Sequence, residues 1–202
     1  AAQYYEKSPD LLQAALHYHH AEDYERAAVL ATHDVLRLIN EGKTRRLLRL
    51  LRQFTEEQVS PRQWLDIKLV EGQLSYFIGE DKAAQTAYEI VLDHQKGQID
   101  PLTSAPIKAR ACLGIAKLLE RDTPQKALAW LEEGIQALDG MDSFLELELQ
   151  WKRASIYLIL GDYAAAIHTI QPRLDDLPTQ HSSLHSTATE ILGVAYYSQG
   201  QI

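Results

Sequence analysis

His17, His19 and His20 stand almost adjacent in the chain and are the densest group of potential ligands in it. Residues three apart share one face of a helix, so His17 and His20 could present two imidazoles to a metal ion. Such a site also needs further ligands and outer partners that hold the rings in place, and the plainer reading is surface or packing histidines. Gly42-Lys43-Thr44 ends like a phosphate loop, but the upstream glycine is missing and the tripeptide lies between helical segments. A phosphate loop requires several free backbone N–H groups around the phosphates, so a helix break is the better account. Lys43, Arg45, Arg46, Arg49 and Arg52 form a local basic run interleaved with Leu47, Leu48, Leu50, Leu51 and Phe54. This is an amphipathic helix with a charged, solvated face. If it docks anything, an acidic protein surface or a neighbouring domain of a parent protein is favoured over nucleic acid, because the chain carries a formal net charge of -8. No H-E-x-x-H, G-x-S-x-G or paired-cysteine spacing occurs, so hydrolase and zinc chemistry lack their parts. The expectation is no catalytic residue, no cofactor and no metal.

The composition fits a folded binding segment. Of the 202 residues, 46% are hydrophobic and 24% charged, enough apolar content for a continuous core. The single cysteine, Cys112, excludes an internal disulfide and suits a reducing compartment, so a cytoplasmic location is expected. Apolar runs such as Ile156 to Leu160 are far shorter than the roughly 20 residues that span a bilayer, so no membrane association is expected. No signal peptide is visible at the start, and the chain opens without Met as though in mid-protein, which suggests a fragment of something longer.

The elements that must position these groups are helices. Leu147, Trp151, Ala154 and Leu158 recur at helical spacing, as do Ala127, Leu128, Leu131, Ile135 and Leu138, and no window alternates long enough to suggest a strand. About ten helices are predicted. Short punctuations separate them: Glu22-Asp23, Glu41-Gly42, Ser60-Pro61, Gly79-Glu80-Asp81, Asp122-Thr123-Pro124, Gly140 and Gly161-Asp162. Each places a Gly near a helix end, or an Asp or Ser where it can cap the next helix. Such short connections force neighbours antiparallel. The longest irregular stretch is expected from Gly97 to Pro106, where Asp100-Pro101 and Ser104-Ala105-Pro106 offer competing helix starts.

A small-residue signature recurs about every 40 residues, which marks stacked helical hairpins. It reads Gly72, Gly79, Ala84 and Tyr88 in one copy and Ala154, Tyr157, Gly161, Ala166 in another. Closely crossing helices need small contact residues. Gly72, Gly114, Ala154 and Gly193 take that place on first helices, and Ala84, Ala127 and Ala166 on second helices. Gly79, Gly161 and Gly200 should end first helices in the left-handed conformation.

These residues resemble the tetratricopeptide repeat. Gly72, Gly79, Ala84 and Tyr88 match its pattern, as do Ala154, Tyr157, Gly161, Ala166 and the closing Pro178. Leu113, Gly114, Ala127 and Leu131 match with one residue inserted, and Leu192, Gly193, Tyr196 and Gly200 match a first helix only. Ser75 and Lys117 stand where an aromatic is usual. The resemblance implies a right-handed superhelical solenoid of antiparallel helix pairs, all-α throughout. Residues 61–202 would form the regular repeats and residues 1–60 less regular N-terminal hairpins of the same solenoid. It further implies a concave wall formed by Asp66, Gln73, Tyr76, Lys108, Glu148, Trp151, Ser155, Glu190 and Tyr197, on which a sugar or peptide could stack and hydrogen-bond. Trp151 and Tyr76 fit equally well as packing residues between hairpins. Leu69, Ala111 and Trp151 sit where a carboxylate-clamping tetratricopeptide protein would carry Lys, so that mode of peptide capture is not reproduced.

The N-terminal part, from Ala14-Ala15-Leu16-His17 through Ala21 to Ala28 and then Leu36 to Leu51, resembles the helical-repeat region of large ATP-binding bacterial transcriptional regulators of the MalT-like, LuxR type. In those proteins a nucleotide-binding module precedes the repeats and a helix-turn-helix domain follows. The resemblance implies a non-catalytic sensor segment that binds an inducer or a partner protein and makes no direct contact with nucleic acid itself. A free-standing adaptor that holds a protein or peptide without an ATPase is the alternative. The last signature copy stops at Ile202 before a covering second helix, so the face around Leu192 and Tyr196 is expected to be exposed or covered by another copy, with self-association through that end.

Overall fold

In a computed structural model of the chain, residues 10–94, 100–174 and 182–200 are described, and they form eleven α-helices, two short 3-10 turns and no strand. Two compact units divide the chain, residues 1–107 and 108–202.

The first unit contains α1 (Leu11–His20), α2 (Tyr24–Thr32), α3 (Val35–Asn40), α4 (Thr44–Leu51), α5 (Pro61–Phe77) and α6 (Asp81–His94). Helix starts follow from local chemistry. The Asp10 side chain accepts from the Gln13 amide at the start of α1, and Asp23 does the same from Arg26 ahead of α2. Ser60 and Gln63 form a reciprocal capping box before Pro61. Each of these groups satisfies a backbone N–H that the first helical turn leaves unpaired. The helix ends are equally local. The amide of Asp23 donates to the Tyr18 carbonyl at 3.0 Å, that of Lys43 to Leu38 at 2.9 Å, and that of Glu80 to Ser75 at 2.8 Å. In each case the preceding residue has positive φ: Glu22 at 61°, Gly42 at 70° and Gly79 at 79°. This is one closing motif used three times, and it turns α1 onto α2, α3 onto α4 and α5 onto α6. Helix α2 also packs on α4 and α5, and α4 on α5.

Helix α7 (Pro101–Leu119) contains the boundary between the units, and its later turns contribute to the second. Its start settles the competition between the two proline sites. The helix begins at Pro101, with Asp100 accepting from the Thr103 amide at 3.2 Å, and Pro106 lies inside the helix. The irregular stretch expected up to Pro106 is therefore shorter, because Pro101 at the first helical position has no N–H to leave unsatisfied. Residues 95–99 lie outside the described part.

The second unit continues with α8 (Pro124–Leu138), α9 (Ser143–Ile159), α10 (Tyr163–Ile170) and α11 (Ser182–Ser198). Asp142 and Asp162 cap α9 and α10 by accepting from the amides of Leu145 and Ala165. The same closing motif recurs at Gly161, whose φ is 76°, with the Asp162 amide donating to the Tyr157 carbonyl at 2.9 Å. Ala109, Leu113 and Ala116 of α7 join Ala127, Leu131 and Leu138 of α8 and Leu145, Leu149 and Ile156 of α9 in one core. A second core gathers Leu147, Trp151 and Ala154 of α9, Ala166 and Ile170 of α10, and Ala188, Ile191 and Leu192 of α11. Helix α9 thus carries two apolar stripes, one for each neighbouring layer.

The expectation about the last helix needs correction. Leu192 is buried in that second core, and Tyr196 is half-buried with its hydroxyl donating to Gln171 Oε1 at 3.0 Å. Helix α11 packs on both α9 and α10, which covers the Leu192 side. The exposed side is that of Gly193, Val194 and Tyr197. Pro178 and Ile202 lie outside the described residues.

Candidate functional site

The basic run forms α4 and the residues that flank it. Thr44, Leu47, Leu48, Leu50 and Leu51 are buried, while Arg45, Arg46, Arg49 and Arg52 are exposed. The two ends of the run are tied down. Lys43 Nζ lies 2.8 Å from Glu41 Oε2 and 3.1 Å from Asp10 Oδ1. Hydrogen bonds from Lys43 and then Arg37 hold the Glu41 carboxyl below its ordinary range. Arg52 reaches across to Glu80 at 2.6 Å, Ser75 Oγ at 3.3 Å and Glu71 at 3.4 Å, linking the end of α4 to the later turns of α5 and the turn beyond them. Lys43 and Arg52 therefore act as structural braces at the two ends of an amphipathic helix whose arginines are exposed, as the pattern predicts. A guanidinium has enough donors to serve three acceptors at once, which explains why an Arg occupies the position that bridges α5 and the turn beyond it. Among the described residues no ion pair involves Arg45, Arg46 or Arg49.

Arg46 and Arg49 meet the histidine cluster. Gln13, Leu16, His17 and His20 from α1, with Arg46, Arg49 and Leu50 from α4 and Gln53 beyond it, line a cleft of about 320 Å³. With its amide oxygen turned toward α4, Gln13 accepts from Arg46 Nη1 at 2.8 Å and Nη2 at 2.7 Å. His17 and His20 share this face, as their spacing predicts. His19 points elsewhere, edge-on to Phe54 with ring centroids 4.9 Å apart and to Tyr24 at 5.2 Å. Its Nε2 is buried without a hydrogen-bond partner among the described residues. Desolvation, with a smaller contribution from His20, lowers the pKa of His19 and favours the neutral ring. Among the described residues no group of three His, Cys, Asp or Glu side chains is placed to hold a metal ion. A smaller cleft of about 270 Å³ has Val29 and Leu30 as its apolar part and Glu25, Arg26 and Gln63 around them.

The expected wall residues divide between the units. In the first, Asp66 is paired with Arg62 at 3.0 Å, Gln73 is exposed, and Tyr76 is about two-fifths exposed at 39%. In the second, Lys108 is paired with Glu133 at 2.7 Å, while Glu190 and Tyr197 are exposed. Ser155 donates to the Trp151 carbonyl. Trp151 itself is 3% exposed and belongs to the second core of its unit, so its indole is a packing group and not part of an open wall. Neither cleft contains any of the nine residues. Leu69 and Ala111, at the other positions where a peptide clamp would carry Lys, are buried too.

Sequence reading missed two features of the second unit. Lys117, placed where the repeat pattern has an aromatic, is half-buried, and desolvation followed by the Lys152 ammonium lowers its pKa. Glu148 and Glu120 partly oppose that shift, and Lys152 pairs with Glu120 at 2.8 Å. The departure from the aromatic at position 117 was the available signal. Gly134 of α8 is the other feature. A Cβ there would lie 3.1 Å from Cys112 Cβ and 3.2 Å from Leu149 Cδ2, so a larger residue at Gly134 would crowd both α7 and α9. Burial pushes the Cys112 thiol up to about 12, which keeps it protonated and unreactive.

No family model matches the chain, and neither does any curated protein or solved structure.

Proposed function

We propose that this chain is a non-catalytic, tetratricopeptide-like helical-repeat segment that serves as the sensor or protein-interaction part of a larger bacterial ATPase-type transcriptional regulator. The observation that carries the reading is the recurrence of one closing motif at Glu22, Gly79 and Gly161, each followed by a second helix that packs back on the first. Modules built this way stack into solenoids whose first-helix faces serve as recognition surfaces. The right-handed superhelix belongs to this proposal, as does binding of an inducer or partner on exposed wall groups within a unit, Gln73 and Tyr76 in the first or Glu190 and Tyr197 in the second. No described helix is long and apolar enough to cross a membrane, which is compatible with this role.

The test is the parent gene together with a transcriptional readout. A phosphate-loop ATPase upstream and a helix-turn-helix domain downstream, with inducer response lost in Tyr76→Ala or Tyr197→Ala, would support the regulator. Absence of both flanking modules would overturn the regulatory half and leave the free-standing adaptor.

A further inference from the structure

The geometry points to a binding site for a small phosphate-bearing ligand in the cleft between α1 and α4, apart from the first-helix wall of the proposed function. Two arginines one turn apart on α4, Arg46 and Arg49, face a lining that includes two histidines one turn apart on α1, His17 and His20. Gln13 and Gln53 add amide groups, Leu16 supplies an apolar part, and among the described residues no carboxylate lines the cleft. In a chain of net charge -8 that local composition is unusual, because acidic side chains are common elsewhere on the surface. Asp10 and Glu41, which lie just before the starts of α1 and α4, are both engaged by Lys43. Gln13 grips the Arg46 guanidinium, which fixes one cation in position before a ligand arrives. Pre-orientation of this kind lowers the entropic cost of binding.

Donors from two walls favour a phosphate monoester over a carboxylate. A tetrahedral phosphate presents three terminal oxygens in different directions and can be met by arginine forks on one side and imidazole N–H groups on the other. A planar carboxylate presents only two oxygens, both in one plane, and so meets donors from two walls less fully. The cleft volume of about 320 Å³ is at the small end for ligand sites and suits one phosphate with a compact organic body against Leu16.

The experiment is a calorimetric titration of the whole chain with phenyl phosphate, inorganic phosphate, benzoate and a Glu-rich peptide, with NMR of the histidine side chains. Phenyl phosphate should bind most tightly and shift the His17 and His20 resonances. Arg49→Gln, at an exposed residue with no ion pair among the described residues, should weaken it about ten-fold, the equivalent of one charge-assisted hydrogen bond. His20→Gln should weaken it in the same direction, and Arg45→Gln, outside the cleft, should leave it unchanged. Helix content by circular dichroism confirms that each variant is folded. Inorganic phosphate that binds through the same residues assigns the recognition to the phosphate group alone and still supports the site. No binding of either phosphate overturns the proposal. So does equal weakening by Arg45→Gln, which would mean diffuse electrostatics, or benzoate binding as tightly, which would mean a carboxylate site. Preference for the acidic peptide would overturn it in favour of a protein-docking face.

Discussion

A Cβ added at Gly72 would lie 2.5 Å from Cε1 of Tyr88, and 2.8 Å from its Cζ. The ring of Tyr88 on α6 therefore rests directly on the backbone of α5, and Tyr88 is buried, which raises its phenol pKa. This contact explains why the signature pairs a glycine on a first helix with an aromatic on the second: the glycine makes the room that the ring fills.

Gly72→Ala forces that ring to move in a close-packed setting and should destabilise the protein by about 1–3 kcal/mol. Gly193 provides the contrast, since a Cβ there meets nothing within 4 Å. Gly193→Ala should stabilise by about 0.5–1 kcal/mol through helix propensity alone. Urea unfolding midpoints at constant slope measure both. A neutral Gly72→Ala would contradict the close approach.

Glu22 has φ 61° at the position where the equivalent turns have Gly79 at 79° and Gly161 at 76°. A side chain in the left-handed region carries a cost that glycine avoids. Glu22→Gly should therefore gain about 0.5–1 kcal/mol, and Gly161→Ala should lose about 1 kcal/mol. Opposite signs in a thermal or urea melt are the expected result, and a loss in both would show that the Glu22 side chain matters more than its backbone.

His19 makes stability depend on pH. Its folded pKa lies below the unfolded value of 6.5, so the unfolded chain takes up a proton first as pH falls. The His19 contribution is fully present above 6.5 and declines as pH drops toward the lower folded value. Replacing it with Phe, which suits the contacts with Tyr24 and Phe54, should flatten the difference in unfolding free energy between pH 7.5 and pH 5.5. An unchanged difference would assign the pH dependence to other groups.

Trp151→Ala should cost about 3–5 kcal/mol, the usual penalty for emptying a buried aromatic site. The exposed Tyr197→Ala should stay within about 0.5 kcal/mol. Denaturant titration of the two variants separates core from surface. A mild effect at Trp151 would mean that the indole lies in an open groove after all.

Much of the fold was legible because the signals are local. Asp10, Asp23, Ser60, Asp142 and Asp162 cap helices within three residues of themselves, and the glycines at 42, 79 and 161 terminate helices through their own backbone freedom. The site was legible only in parts. The pairing of His17 with His20 is a helical spacing, and so is that of Arg46 with Arg49, but their meeting depends on how α1 lies against α4. Periodicity gives a residue's angle around its own helix and says nothing about the neighbour that angle faces.

Trp151 shows the same division. Its stripe with Leu147 and Ala154 was plain from spacing, yet two faces of α9 are apolar and either could have been the wall. By itself the sequence determined the helical class, the caps and the turn glycines, because each rests on interactions within a few residues or on backbone sterics; of the small contact residues expected on first helices, Gly72 touches its partner helix, whereas Gly193 is exposed and a Cβ there meets nothing. Only the tertiary structure decided that Trp151 is core, that Lys43 and Arg52 are braces, and that two arginines and two histidines share one cleft. Those outcomes depend on contacts between segments far apart in the chain, where burial and charge pairing act together.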